Sequence, residues 1–160
     1  MKTLSIKQPW ASLIAAGIKD IENRTWRTNY RGRIYIHVSS AKFNLKYSPL
    51  TAEQANAAHE GHKIGKIGDA DALPYSAIIG EVDIVDCVLN APSIWSEETD
   101  LTEGKIFYPI WNWVLANPVL YDNPILNVKG KLSLWEYERP YEVIGTAEMV
   151  QLGEWKTPVG

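Results

Sequence analysis

Gly17-Ile18-Lys19-Asp20-Ile21-Glu22-Asn23-Arg24-Thr25-Trp26 places a helix-ending glycine, a lysine, a carboxylate, an arginine and a tryptophan within ten residues. Trp10, Leu13 and Ile14 precede it at helical spacing, which predicts a short helix closed by Gly17 in the left-handed conformation. Beyond the glycine the apolar pattern changes period. If 20–26 is a strand, Glu22, Arg24 and Trp26 share one face while Ile21 and Asn23 share the other. Lys19 has the wrong parity to join Glu22 on a regular strand. It converges with the pair only if it sits in the turn itself, which the preceding glycine permits.

Toward the N-terminus, Leu4 and Ile6 alternate with polar neighbours as a strand does, and Pro9 stops it. Proline is tolerated in a first helical turn, so 9–16 is expected to be the helix that Gly17 closes. Toward the C-terminus, 29–32 reads as a turn and 33–39 as a strand with Ile34, Ile36 and Val38 facing one way. Tyr35, His37 and Ser39 face the other way. That side is either a polar wall of the same cleft as Glu22 and Arg24 or the solvent face of a sheet.

Residues 43–76 are the least sheet-like. Thr51-Ala52-Glu53-Gln54 has capping-box spacing, predicting a helix to His59 with Gly61 ending it, and 63–71 has the makeup of an exposed loop. His59 and His62 have no third ligand at a convincing spacing, so no metal is expected. The glycines do not lead into Gly-Lys-Ser/Thr, which excludes a P-loop. Residues 77–89 form the most strand-like run, with Glu81 and Asp83 directed to solvent or to a site. After the acidic loop 93–101, the segment 107–115 reads as a second long strand on which Trp111 and Trp113 share a parity, and Asn117-Pro118 is expected to end it. The segments 124–128 and 131–137 supply the last strands. Several short strands and few helices point to a barrel or α+β arrangement and away from alternating βαβ units.

A chain of 160 residues, 46% apolar and 22% charged, suffices for one domain with its own core. Cys87 is the only cysteine, so no internal disulfide is possible, and its apolar surroundings predict an inert, buried thiol in a reducing compartment. No apolar stretch approaches the ~20 residues of a membrane span, and the first residues lack a signal peptide's apolar region. A cytoplasmic location is expected. The net charge is −3, against binding of nucleic acid through overall basicity. Yet residues 1–46 hold nine Lys or Arg against two acids, and the remainder seven against seventeen. That asymmetry fits a local anion site on an otherwise acidic surface.

Gly17, Lys19, Glu22 and Arg24 follow the order Gly-x-Lys-x-x-Glu-x-Arg, which resembles the signature of the ASCH domain, the activating-signal-cointegrator homology family. Leu4-Ser5-Ile6-Lys7-Gln8-Pro9-Trp10-Ala11-Ser12-Leu13 resembles that family's opening strand and helix, Asn29-Tyr30-Arg31-Gly32-Arg33 its following turn, and Val128-Lys129-Gly130-Lys131 with Leu134-Trp135 its closing segment. The resemblance covers a core of about 3–137, leaving an insert at about 43–76 and an extension at 138–160 within one domain. It implies a small β-barrel related to the PUA fold with a few short flanking helices, and a cleft for RNA or a nucleotide. Ligand-binding residues are then expected among Gln8, Trp10, Lys19, Glu22, Arg24, Trp26, His37, Ser39, Lys42 and Trp111, with no cofactor.

Seven tryptophans and eight tyrosines exceed what a core of this size requires. Aromatic faces beside Lys and Arg suit single-stranded RNA, whose bases stack for ~1 to 3 kcal/mol each while cations hold phosphates. Each ring taken singly is equally at home in the core. Lys19, Glu22 and Arg24 likewise admit two readings. Either Glu22 pairs with its neighbours and pins the turn, or the cations grip phosphate and base edges while Glu22 accepts from an exocyclic amine. An enzyme is the main rival. Some compact ASCH-like proteins are amidohydrolases of acetylated cytidine that use a lysine, a threonine and a glutamate, and ribonuclease activity has been proposed for others. Lys19 matches that lysine, but Glu22 stands at the threonine position. The catalytic groups of an enzyme would be Lys19 and Glu22, the latter as general base. A protein-interaction module with an acidic far face is the third reading.

Overall fold

Gly17 adopts φ +76° and closes helix α1 (Trp10–Ala15). Its N–H donates to the Ile14 carbonyl at 3.0 Å and that of Ile18 to Leu13 at 2.9 Å, the paired bonds of a Schellman ending. A Cβ at this position would also meet Pro118 at 3.1 Å, so conformation and space both select glycine. Pro9 is the N-cap and not a helical residue, and the helix starts one position later than expected. The computed structural model describes residues 1–104, 108–144 and 148–151.

The reversal at Gly17 delivers the chain into β2 (Ile21–Arg24). The remaining strands of the main sheet are β1 (Lys2–Ile6), β3 (Gly32–Val38), β4 (Ala77–Val88), β5 (Trp111–Ile125) and β6 (Leu134–Glu136). They lie in the order β2-β5-β4-β3-β1-β6. Only β1 and β3 are parallel. The sheet curls into a half-barrel, and with α1 and α2 (Ala52–Lys63) it makes an α+β fold consistent with a PUA-like barrel. The short strands β7 (Tyr141–Ile144) and β8 (Glu148–Gln151) pair separately.

Bulges produce the curl, and they explain where the expected boundaries fail. Glu81 is opposite Val119 but Asp83 is opposite Ala116, so Asn117 and Pro118 face Val82 alone. Asn117 takes φ +53° there, and a proline within a bulge forfeits no ladder bond. The strand therefore runs through the proline to Ile125. It absorbs part of 124–128, while 131–137 contributes only β6; Phe107, the expected start, lies outside the described residues. A second irregularity leaves Ile79 unpaired against β3, between the Ile36–Gly80 and His37–Ile78 pairs. Ile79 thereby joins Val82 and Ile84 in the core despite its opposite parity.

That main core lies between the concave face and α1, and includes Leu4, Ile14, Ile34, Ile36, Val38 and Trp113. Tyr35, Ile78, Ile125, Val128 and Trp135 form a second cluster on the other face. Glu81 and Asp83 point to that outer face and hold Arg33 at 3.2 and 3.0 Å, away from any shared position with Glu22. Helix α2 carries the expected capping box at Thr51 and Gln54. It continues past Gly61 to Lys63, because Gly61 is buried where a side chain would collide with Ile18. This glycine serves packing and does not end the helix.

Candidate functional site

Lys19 sits in the turn, as its parity requires. Its backbone N–H donates to the Leu13 carbonyl at 3.0 Å, and this folds the side chain back so that Nζ donates to the Ile21 carbonyl. Nζ also lies 3.5 Å from Glu22 Oε2. Arg24, two residues along the same strand face, brings Nε to 3.0 Å from Glu22 Oε1 and donates from Nη2 to the Ser5 carbonyl at 2.8 Å. Glu22 is therefore gripped from both sides. Lys19 is 4% exposed and Glu22 7%. Burial pushes the Lys19 ammonium below the ordinary lysine range, with the Glu22 carboxylate opposing that shift. An ammonium so placed depends on its carboxylate, since breaking a buried pair costs about 3–5 kcal/mol.

Above this row opens a cleft of ≈ 310 Å³, lined by Ser5, Ile6, Lys7, Trp10, Lys19, Glu22, Asn23, Arg24, Ser39 and Glu97. Trp10, Lys19, Glu22, Arg24 and Ser39 are thus brought together among the residues expected from sequence. The others are not. Gln8 is buried and spends its amide on Ser12 and on the Pro74 carbonyl, fixing the start of α1. Trp26 stands edge-on to Trp113 with ring centroids 4.6 Å apart and accepts the Trp113 indole N–H on its carbonyl. Trp111 lies under Arg27 at 5.6 Å, and Lys42 covers the Tyr75 ring at 3.9 Å. His37 faces the sheet's outer side and contributes to an adjoining cavity instead. Its Nε2 donates to the Val128 carbonyl at 2.7 Å and its Nδ1 lies 3.0 Å from Ser5 Oγ.

Sequence reasoning missed Ser5, Lys7, Asn23 and Glu97. Lys7 and Ser5 were adjacent to residues already singled out, and the strand parity of β1 could have marked Ser5. Glu97 had no local signal. It enters the cleft because Asn23 holds its loop: the Asn23 amide donates to the Trp95 carbonyl at 2.8 Å, and its Oδ1 accepts the Glu97 N–H at 3.0 Å. Asn112 completes the tie, donating to both Asn23 Oδ1 and the Glu97 carbonyl. The cleft is thus lined by Trp10, by cations at Lys7 and Arg24, and by carboxylates at Glu22 and Glu97. Among the described residues no group of three His, Cys, Asp or Glu is placed to hold a metal, and no helix is long and apolar enough to cross a membrane.

Activating signal cointegrator 1 of Homo sapiens is 36% identical over 85 residues, and that of Mus musculus 34% over 85 residues. Each match covers 53% of this chain but only 14% of the relative, so the chain corresponds to a small part of either protein. The model of the ASCH domain matches residues 4–125, from β1 to the end of β5. That match takes in the Gly17 turn, the charge row and the strands that frame the cleft, and the chain belongs to the ASCH domain family.

Proposed function

We propose that the protein binds single-stranded RNA, or a nucleoside or nucleotide, in the cleft above Lys19, Glu22 and Arg24. The observation that carries this reading is the row of buried Lys19 and Glu22 with half-buried Arg24, open on one side to a cleft with Trp10 on its wall. A base stacked on Trp10 would present its edge to Glu22 and Glu97 as acceptors and to Arg24 as donor. Lys7 would meet the attached phosphate. Membership in a family associated with RNA binding supports the same reading.

Hydrolysis of a modified nucleoside is the second reading, favoured by one feature: an ammonium whose pKa burial lowers lies 3.5 Å from a carboxylate, an arrangement that suits proton transfer. Against it stands Glu22 at the position where the hydrolytic relatives carry a hydroxyl nucleophile. One experiment decides between them. Acetylated cytidine and a mixed short RNA are titrated against the protein by Trp fluorescence while deacetylation and cleavage are followed, with wild type, Arg24→Gln and Glu22→Gln. The expected result is saturable binding without turnover, weakened roughly tenfold in Arg24→Gln, where one charge-assisted contact of ~1.4 kcal/mol is lost. Turnover that disappears in a folded Glu22→Gln protein makes it an enzyme. Absence of binding to either compound sinks the cleft assignment.

A further inference from the structure

Ser5 and Ser39 line a second cavity as well as the first, so the two lie side by side and share these residues. The second measures ≈ 580 Å³ and is bounded on its far side by the segment 127–132. Its floor is fixed. The Trp135 indole donates to Ser5 Oγ at 3.2 Å, Ser5 meets His37 Nδ1, and His37 holds the Val128 carbonyl. Gly130 lies so close over this relay that a Cβ would fall 2.8 Å from His37 Cε1 and 2.9 Å from Ser5 Oγ. The rim is held by the Val128 N–H, which donates to the Ser76 carbonyl at 2.8 Å. Ser76 and Asn127 both take left-handed φ values there, +49° and +55°, a strain that tends to collect at ligand sites.

The chemistry of this cavity differs from that of the first. It holds no carboxylate: four serines, His37 and Asn127 line it beside Val128 and Leu132, and Lys129 and Lys131 stand exposed at its edge. Among the described residues neither lysine is paired with an acid; Lys131 lies 5.7 Å from the Trp135 ring centroid. Ser39 Oγ, at the junction, is buried and has no hydrogen-bond partner among the described residues. A buried hydroxyl left without a partner is destabilising.

We propose that this cavity is a phosphate subsite continuous with the first cleft, so that the ligand is a single-stranded oligonucleotide and not an isolated nucleoside. One base occupies the cleft at Trp10, the adjoining phosphodiester crosses Ser5 and Ser39, and the next phosphate is held between Lys129 and Lys131. This rests on the reading of the first cleft given above, and its test separates the two.

Binding of a nucleoside, its monophosphate, the dinucleotide and a tetranucleotide RNA is measured over a range of salt for wild type and for Lys129→Ala/Lys131→Ala. In wild type, affinity is expected to rise with each step from nucleoside to tetranucleotide. In the double variant the gain from monophosphate to tetranucleotide shrinks roughly tenfold and the salt slope falls by about 0.7, the contribution of the one single-strand phosphate that the two lysines hold. Equal gain and slope in the two proteins overturn the subsite even if nucleosides bind at the first cleft. Lysine-dependent RNA binding that ignores Arg24→Gln removes the first cleft and, with it, the continuous track proposed here. A hexaglutamate peptide that competes as well as the tetranucleotide assigns the lysines to an acidic protein segment and overturns the proposal, as does failure of every RNA to bind.

Discussion

His37 is a buried imidazole with both nitrogens engaged and one arrangement of protons. The Val128 carbonyl can only accept, so Nε2 carries the hydrogen and Nδ1 accepts from Ser5. Burial holds the His37 pKa below the ordinary histidine range, with the Val128 carbonyl pulling weakly the other way. The unfolded chain therefore takes up this proton first as pH falls. Stability is fully present above about pH 6.5 and declines toward the lower folded pKa, by at most about 1.4 kcal/mol per pH unit. Urea unfolding between about pH 7.5 and 5.5 should show that slope in wild type and a reduced one in His37→Gln. An identical slope in both would assign it to other groups. The parity of 33–39 already placed His37 opposite Ile36. What no local pattern could give was the partner, because Ser5, Val128 and Trp135 arrive from other strands. Lys19, Glu22 and Arg24 were legible for the opposite reason: one turn and one strand settle their geometry.

Elements were legible where side-chain period alone decides them, as in α1, β3 and the capping box of α2. They were misread where a neighbouring element overrides the local signal. Pro118 looks like a strand end, but it sits in the bulge that bends β5 across Gly80, where a side chain would strike the Val119 carbonyl. Gly61 looks like a helix end, but it is a contact with Ile18. The segment 127–132 is held by the same kind of contact. Gly130 has no positive φ to explain it; only its closeness to His37 and Ser5 does. Gly130→Ala should push this segment outward and weaken the His37–Val128 bond, costing about 1–3 kcal/mol as overpacking does. Thermal unfolding would measure the loss. A wild-type midpoint would mean that the segment relaxes freely and that Gly130 is no constraint on the adjoining cavity.

At the scale of the molecule, the division of charge seen in the sequence is partly cancelled by folding. Arg31 and Arg33 meet Asp86, Glu81 and Asp83, and Lys2 meets Glu136, so three cations of the basic N-terminal segment are neutralised by acids from the rest of the chain. Arg27, Lys42 and Lys46 lie against aromatic rings. On the proposed reading a strand would meet Lys7 and Arg24 at the first cleft, although Arg24 also pairs with Glu22, and Lys129 and Lys131 at the second, although Lys131 also lies near the Trp135 ring, on a protein whose net charge is −3. Such a surface would attract RNA over a short track and repel it elsewhere, whereas a broadly basic protein gains affinity with every added phosphate. Affinity per binding register should therefore rise with RNA length only until the strand spans both cavities and then level off. Length series from two to twenty nucleotides at fixed salt, corrected for the number of registers, would measure it. Continued gain along the whole series would mean that phosphates are met well beyond the two cavities, and that the local anion site read from the charge pattern is too small a description of the surface.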